Sequence, residues 1–337
     1  MTPYQHGGDI TTFARLCGCE TSEVIDLSSN INFVKPQTEL NLNDIEITPY
    51  PDYTALYEMI ASHYGVDTTE IELFNGGSAA IFSLFRYLRT SLSHCTIYSP
   101  AYLEYKRAAE LFGYQLHLID RFKYLDREVK AQSLVIFVNP STPDGYGYDM
   151  EALLSKWIER SCTILVDESF LEFTQMPSLS NHIKNYDKLY ILKSMTKFQG
   201  AAGIRMGTLI SNNINIEKLH RFKPAWKLSA LDAAYIKAVL NDHTLPTRTH
   251  AITNENRQML IRILEEASCV EHIFPGCANY LLVKLGTIDA HQLQKRLTPH
   301  RILIRNCENF DGLDSRYVRI AIKTKASIRA LKEALHA

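Results

Sequence analysis

The residue best placed to do chemistry in this sequence is a lysine. Lys197 sits in the stretch Ser194-Met195-Thr196-Lys197-Phe198-Gln199-Gly200, just after a short apolar run, Lys188 to Leu192, that reads as a buried strand. A glycine-rich, slightly apolar segment leads on to Arg205. A lysine desolvated in such a place has a lowered pKa and offers a neutral amine for Schiff-base chemistry. Ser194 and Arg205 could together hold a phosphate. The plain alternative is a surface lysine at a strand-to-loop junction, and the rest of the chain has to decide between the two.

Other candidate groups recur at the ends of apolar runs that read as strands: Thr96 to Ser99, Leu134 to Val138, Thr163 to Val166, Leu189 to Leu192 and Thr208 to Ile210. Tyr102 follows the first, Asn139 to Gly145 the second, and Asp167 the third. In an open α/β sheet, ligands gather beyond the carboxyl ends of the strands. Tyr102 could stack on a planar ring or simply pack. Asp167 could pair with a cationic ring nitrogen or cap a neighbouring helix. Gly76-Gly77-Ser78 opens a helix and offers backbone N–H groups, a hydroxyl and a positive dipole end to a phosphate, or forms a capped turn. Arg305 and Arg319 follow or lie within apolar tail strands, where they form buried ion pairs or recognise anions. A lysine for an aldehyde, an acid for a ring nitrogen, a phosphate cup and a stacking face are together what pyridoxal 5'-phosphate requires. The acid matters because a protonated ring nitrogen makes the ring an electron sink.

The elements that must position these groups follow from periodicity. Leu56, Met59, Ile60 and His63 space a helix over Tyr53 to Tyr64, and Ile81, Leu84, Phe85, Leu88 and Leu92 mark another after Gly77. Helices over Leu103 to Phe112 and Met150 to Ile158 alternate with the strands, which predicts a mostly parallel sheet covered by helices. The tail departs from that alternation. It has a long helix around Ile252 to Ala267, strands at Tyr280 to Lys284, Ile302 to Ile304 and Tyr317 to Ile322, then a helix from Ser327. We therefore expect an arm over residues 1–45, a large cofactor-binding domain over 46–240 and a small α+β domain over 241–337. The 337 residues leave room for that arrangement. A formal net charge of -1 gives no overall field for nucleic acid or an anionic membrane. The apolar runs are too short to span a bilayer and no signal peptide is apparent, so a cytoplasmic location is expected. The seven cysteines are scattered, and Cys17 and Cys19 have no second pair to complete a zinc site, so reduced thiols and no metal are expected.

These residues resemble the fold-type I pyridoxal-phosphate enzymes, in the branch shared by histidinol-phosphate aminotransferases and L-threonine-O-3-phosphate decarboxylases. The similarity runs over nearly the whole chain. It implies an α/β fold with a large domain, built on a mostly parallel seven-stranded sheet between helices, and a smaller α+β domain. It implies Lys197 as the Schiff-base lysine, Asp167 as the ring-nitrogen partner and Tyr102 as the stacking aromatic. Gly77, Ser78, Ser194 and Arg205 would bind the cofactor phosphate. In a homodimer with shared sites, Tyr50 of Tyr50-Pro51 would reach the neighbouring subunit's phosphate.

The chain departs from the family where Asn-Asn-Pro-Thr-Gly is usual. Thr142 stands in the place of the asparagine that bonds the cofactor's phenolic oxygen. Phe170 replaces a tyrosine frequent in the aminotransferases, and Ala79 or Ala80 an acid of the phosphate-cup helix. Two blocks resemble the decarboxylases: His6-Gly7-Gly8 with Ser28 to Asn32, and Arg305-Asn306-Cys307 through Gly312-Leu313 to Arg316-Tyr317-Val318-Arg319. They imply that Arg305, with His6, Gly7 and Tyr53, binds a substrate phosphate, that Arg319 binds a carboxylate, and that Asn32 is a further substrate contact. The implied reaction is decarboxylation of O-phosphothreonine or O-phosphoserine to an amino alcohol phosphate, for the nucleotide loop of cobalamin. The alternative is a histidinol-phosphate or related aminotransferase. A non-catalytic binding protein is disfavoured because Lys197, Asp167 and Arg205 are all present.

Overall fold

In the computed structural model residues 7–336 are described. His6, one of the expected substrate contacts, lies outside them. A seven-stranded sheet runs in the order Ile71–Phe74, Gly207–Ile210, Leu189–Ser194, Thr163–Asp167, Leu134–Val138, His94–Ser99 and Gln115–Asp120. Only Gly207–Ile210 runs against its neighbours. Along Leu134–Val138 the side chains alternate between two cores. Val135 and Phe137 pack with Ile60 and Trp157, while Ile136 and Val138 pack with Leu84, Phe85 and Tyr105. Helices Thr54–Tyr64 and Glu151–Glu159 thus cover one face, and Gly77–Leu88 and Leu103–Leu111 the other. Burial on both faces is why the central strands are continuous apolar runs.

Two strands of this sheet were not expected from the sequence. Gln115–Asp120 is an edge strand with three exposed positions, so its polar composition hides it. Ile71–Phe74 carries Glu72, fully buried, whose carboxylate accepts a hydrogen bond from Tyr57 (2.8 Å) and pairs with Lys223 and Lys227. A charge inside a strand is tolerated only with such partners.

The C-terminal part holds a four-stranded antiparallel sheet ordered Arg305–Asn306, Tyr317–Ala321, Tyr280–Leu285 and Val270–Ile273. The single strand expected over Ile302 to Ile304 is divided. Ile302–Leu303 pairs in parallel with Ile25–Asp26, and Arg305–Asn306 turns into the four-stranded sheet. The long helix spans Leu245–Glu266, starting ahead of the expected Ile252 because Pro246 fits the first turn, where its missing N–H costs nothing. The last helix spans Lys325–His336. The N-terminal stretch is stitched to this part of the chain: Leu27 N–H donates to Leu303 O (2.8 Å), and Ala321 N–H donates to Leu27 O (2.8 Å). Ser28 to Asn30 are thereby carried to the large sheet's carboxyl ends, where they line a cavity. Among the described residues no helix is long and apolar enough to cross a membrane.

Candidate active site

The cavity, about 280 Å³, lies where Thr163–Asp167 and Leu189–Ser194 end, and both Asp167 and Lys197 line it. Asp167 is the last residue of its strand and is buried. One carboxylate oxygen accepts from Tyr105 Oη at 2.7 Å, and the other from the Ser169 N–H at 2.9 Å and the Ser169 hydroxyl. Burial nevertheless pushes the Asp167 pKa up, against the pull of those donors. A cationic group in the cavity would relieve that penalty.

Lys197 follows the next strand. Its carbonyl accepts from the N–H of Asn32 (3.0 Å) and of Gly200 (3.3 Å), which fixes the turn that presents the amine. Burial above all, with the charges of Arg319 and Arg205 acting the same way against Asp167, lowers the Lys197 pKa to about 8. Lys197 and Asp167 form no ion pair, and the amine lines the cavity with its lowered pKa making it far more readily neutral than an ordinary lysine.

The phosphate-cup residues converge on the same cavity: Gly77, Ser78, Ser194, Thr196 and Arg205 all line it. Helix Gly77–Leu88 begins there after Gly76, whose φ of 86° favours glycine. A Cβ at Gly76 would stand 2.5 Å from Arg205 Nη2. Gly207, opposite Ser194 in the antiparallel pair, lets the turn sit on the strand: a Cβ there would meet Gly77 N at 2.5 Å. The result is a helix N-terminus, two hydroxyls and a guanidinium around one point, which suits a phosphate. Tyr102 lines the cavity beside them, its hydroxyl 3.2 Å from Ser78 Oγ. Cradle, lysine and cation-seeking aspartate together fit pyridoxal 5'-phosphate.

The far wall is built by the small sheet. Arg305 and Arg319 lie directly opposite each other on neighbouring strands, both buried and both lining the cavity. Arg319 donates to Thr142 Oγ1 (3.2 Å) and Ser28 O (3.1 Å) and lies 5.1 Å from the Tyr280 ring, while its Nε has no partner. Among the described residues no carboxylate pairs with it. Arg305 donates to Asn309 Oδ1 (2.7 Å) and lies over the Phe310 ring (5.3 Å). Burial, with the charge of Arg319 adding to it, lowers the Arg305 pKa to about 10. Like charges facing each other across a sheet are unfavourable unless an anion joins them. Gly7 completes this wall, because a Cβ there would stand 2.8 Å from Ser28 O and 3.2 Å from Arg305 Cδ.

Two expected substrate contacts, Asn32 and Tyr53, are not brought to the cavity, and Tyr50, expected at a neighbouring subunit's site, does not line its own chain's cavity. The Asn32 side chain is engaged by Phe198 O (2.8 Å), Thr249 Oγ1 (3.0 Å) and Val34 N–H (3.0 Å), so it supports the lysine turn through its backbone. The Tyr53 hydroxyl donates to Leu228 O (2.7 Å) and accepts from two backbone N–H groups of residues 227 and 228. Tyr50 is 73% exposed and stacks on Trp226 at 4.0 Å. Thr142 does line the cavity, but its oxygen accepts from Arg319 and leaves the hydroxyl proton to donate elsewhere. Some site residues were not singled out by sequence: Tyr105 and Ser169 hold Asp167, and Phe310 joins Phe170 as apolar wall. Ser169 carried a readable signal, a hydroxyl two residues after an aspartate, which is an Asx-turn arrangement.

Comparison with known proteins gives concordant matches. The family model described as aminotransferase class I and II matches residues 22–337. The threonine-phosphate decarboxylase of Salmonella typhimurium is 30% identical over 98% of this chain and 95% of its own length. An adenosylcobalamin biosynthesis bifunctional protein of Leptospira interrogans is 26% identical over 95% of this chain and 39% of its own length. The crystal structure of the histidinol-phosphate aminotransferase from Clostridium acetobutylicum superposes with a TM-score of 0.82 at 30% identity, covering 92% of this chain and 97% of that one.

Proposed function

The chain belongs to the aminotransferase class I and II family, whose enzymes depend on pyridoxal 5'-phosphate, and on that premise we propose that it decarboxylates an O-phospho-amino acid. The observation that carries the proposal is the facing pair Arg305 and Arg319, two buried guanidinium groups in one cavity with the lysine. Two cations side by side suit a small molecule bearing two anions, a carboxylate for Arg319 and a phosphate for Arg305 with Gly7. The similarity to the Salmonella decarboxylase over nearly both chains supports the same reading, and the Leptospira relative supports a place in cobalamin biosynthesis.

Pyridoxal phosphate, when bound, supplies the electron sink that lets a bond at the α-carbon of an amino acid break. The chain's residues do the rest. Lys197 would hold the cofactor's aldehyde, and its amine, lining the cavity, would be the group placed to return a proton at the α-carbon. Asp167 would face the ring nitrogen, where a cation would offset the burial that raises its pKa, and Tyr105 and Ser169 fix its carboxylate in place. Arg319 and Arg305 grip the substrate at its two ends and so set which α-carbon bond is presented for cleavage. Phe170 and Phe310 exclude water, which strengthens these charge contacts. Tyr50, turned away from its own chain's cavity, serves the site of a second copy in a homodimer. Phosphothreonine and phosphoserine differ by one methyl, which an apolar pocket resolves by about 1–3 kcal/mol.

The second reading is transamination of histidinol phosphate, favoured by the 30% identity of the Clostridium structure. One experiment separates the two. The protein loaded with pyridoxal phosphate is given carboxyl-labelled phosphothreonine, then histidinol phosphate with 2-oxoglutarate. The expected outcome is labelled carbon dioxide and an amino alcohol phosphate, with no keto acid required. Glutamate formation without carbon dioxide would establish the aminotransferase instead.

A further inference from the structure

The loop that follows Arg305 does more than connect two strands. Asn309 and Phe310, which hold the Arg305 guanidinium, both belong to it. Its own turns are closed by Phe310 N–H to Cys307 O (3.0 Å) and Leu313 N–H to Phe310 O (3.0 Å), with Gly312 at a φ of 88°. The loop also reaches across the cavity to helix Leu103–Leu111, which begins directly after Tyr102. Leu103 packs with Cys307, Phe310 and Leu282 in a small apolar cluster, and Leu103 and Phe310 both line the cavity. One helical turn further on, Lys106 Nζ lies 2.7 Å from Asp311 Oδ1, each side chain about a third exposed (32% and 29%). Apolar contact and ion pair therefore form one seam joining the cofactor side of the cavity to the loop that aims Arg305.

We infer that the Lys106–Asp311 pair is a strap across the cavity that positions Arg305 for the substrate's phosphate. This rests on the reading of Arg305 as the phosphate ligand. A partly exposed pair contributes little to folding, so its effect falls on the placement of the loop it ties. Lys106 and Asp311 are positioning residues, acting through Asn309 and Phe310.

The test compares the loaded protein with Lys106→Ala, Asp311→Asn and the charge-swapped Lys106→Asp/Asp311→Lys double variant. Two quantities are measured: KM and kcat for phosphothreonine, and amide hydrogen exchange of residues 307–313 without substrate. Each single variant should raise KM by about three- to fivefold with kcat within about twofold, and should speed exchange in the loop. The swapped pair should restore both. Unchanged KM and unchanged exchange in the single variants, or failure of the swap to restore what they lose, would overturn the strap. Because exchange needs no turnover, a protein that does not process phosphothreonine but shows rescued exchange would refute the proposed reaction and leave the strap standing.

Discussion

Lys193, in strand Leu189–Ser194, closes on Glu168, the residue after strand Thr163–Asp167, whereas Asp167, which ends that strand, and Lys197, just beyond the other, remain apart. Lys193 Nζ pairs with Glu168, lies 3.2 Å from Ser178 Oγ and 5.3 Å from the Tyr64 ring, and is almost wholly buried. Glu168 also accepts from Ser178 Oγ (2.7 Å) and the Leu179 N–H (2.8 Å), so the pair's polar groups are satisfied within the fold. Asp167 is held instead by Tyr105 and Ser169, and Lys197 by its backbone alone. The difference teaches that burial of a lysine near an acid is not by itself a site. A pair that satisfies itself locks strands together, and a pair held apart over a cavity is available to a ligand.

The largest expected effect falls on the open pair. Lys197→Met should leave a folded protein by circular dichroism, without the visible absorbance of bound pyridoxal phosphate and without measurable turnover. Bound cofactor with retained activity would break the contrast. The closed pair should respond in stability. Lys193→Met strands a buried carboxylate and should cost about 3–5 kcal/mol in urea denaturation. Removing both charges, in Lys193→Met/Glu168→Leu, should recover most of that loss. A single variant as stable as the parent would show that the pair locks nothing.

Much of this contrast was legible in the sequence, though unevenly. Lys197 and Asp167 each follow an apolar run read as a strand, and the strand-end rule brings them together, while Gly77-Ser78 was legible as a helix start and Arg205 by its place after the glycine-rich segment. Arg305 and Arg319 could be flagged as charges in apolar strands, but their facing register depends on how residues 302–306 divide between two ladders. No local pattern encodes that division. Asn32 and Tyr53 read as polar groups near the site, and only tertiary packing shows their side chains engaged by Phe198, Thr249 and Leu228. Glu72 and the edge strand were missed because a strand's alternation is judged by hydrophobicity, and here partners and exposure replace it.

The smallest expected effect is a pH dependence. Burial holds the Lys197 amine at about 8 instead of its ordinary 10.5 in the cofactor-free protein. Between those values the unfolded chain binds a proton that the folded one does not, so stability rises as pH climbs through that window. Below about 8 both states are protonated and the penalty is fully present. Denaturation midpoints across the window should rise more steeply for the parent than for Lys197→Met. Taking the difference of the two curves removes the parallel effect of Lys227, whose amine burial likewise lowers to about 8. Identical slopes would mean that Lys197 is not held desolvated.

The most direct test of the contrast asks which lysine carries the cofactor. The loaded protein is treated with borohydride, which fixes pyridoxal phosphate to its lysine, then digested and mapped by mass spectrometry. The expected result is a pyridoxyl group on Lys197 alone, with Lys193 unmodified. A label on Lys193, or on no lysine, would contradict the assignment of the open pair as the catalytic centre.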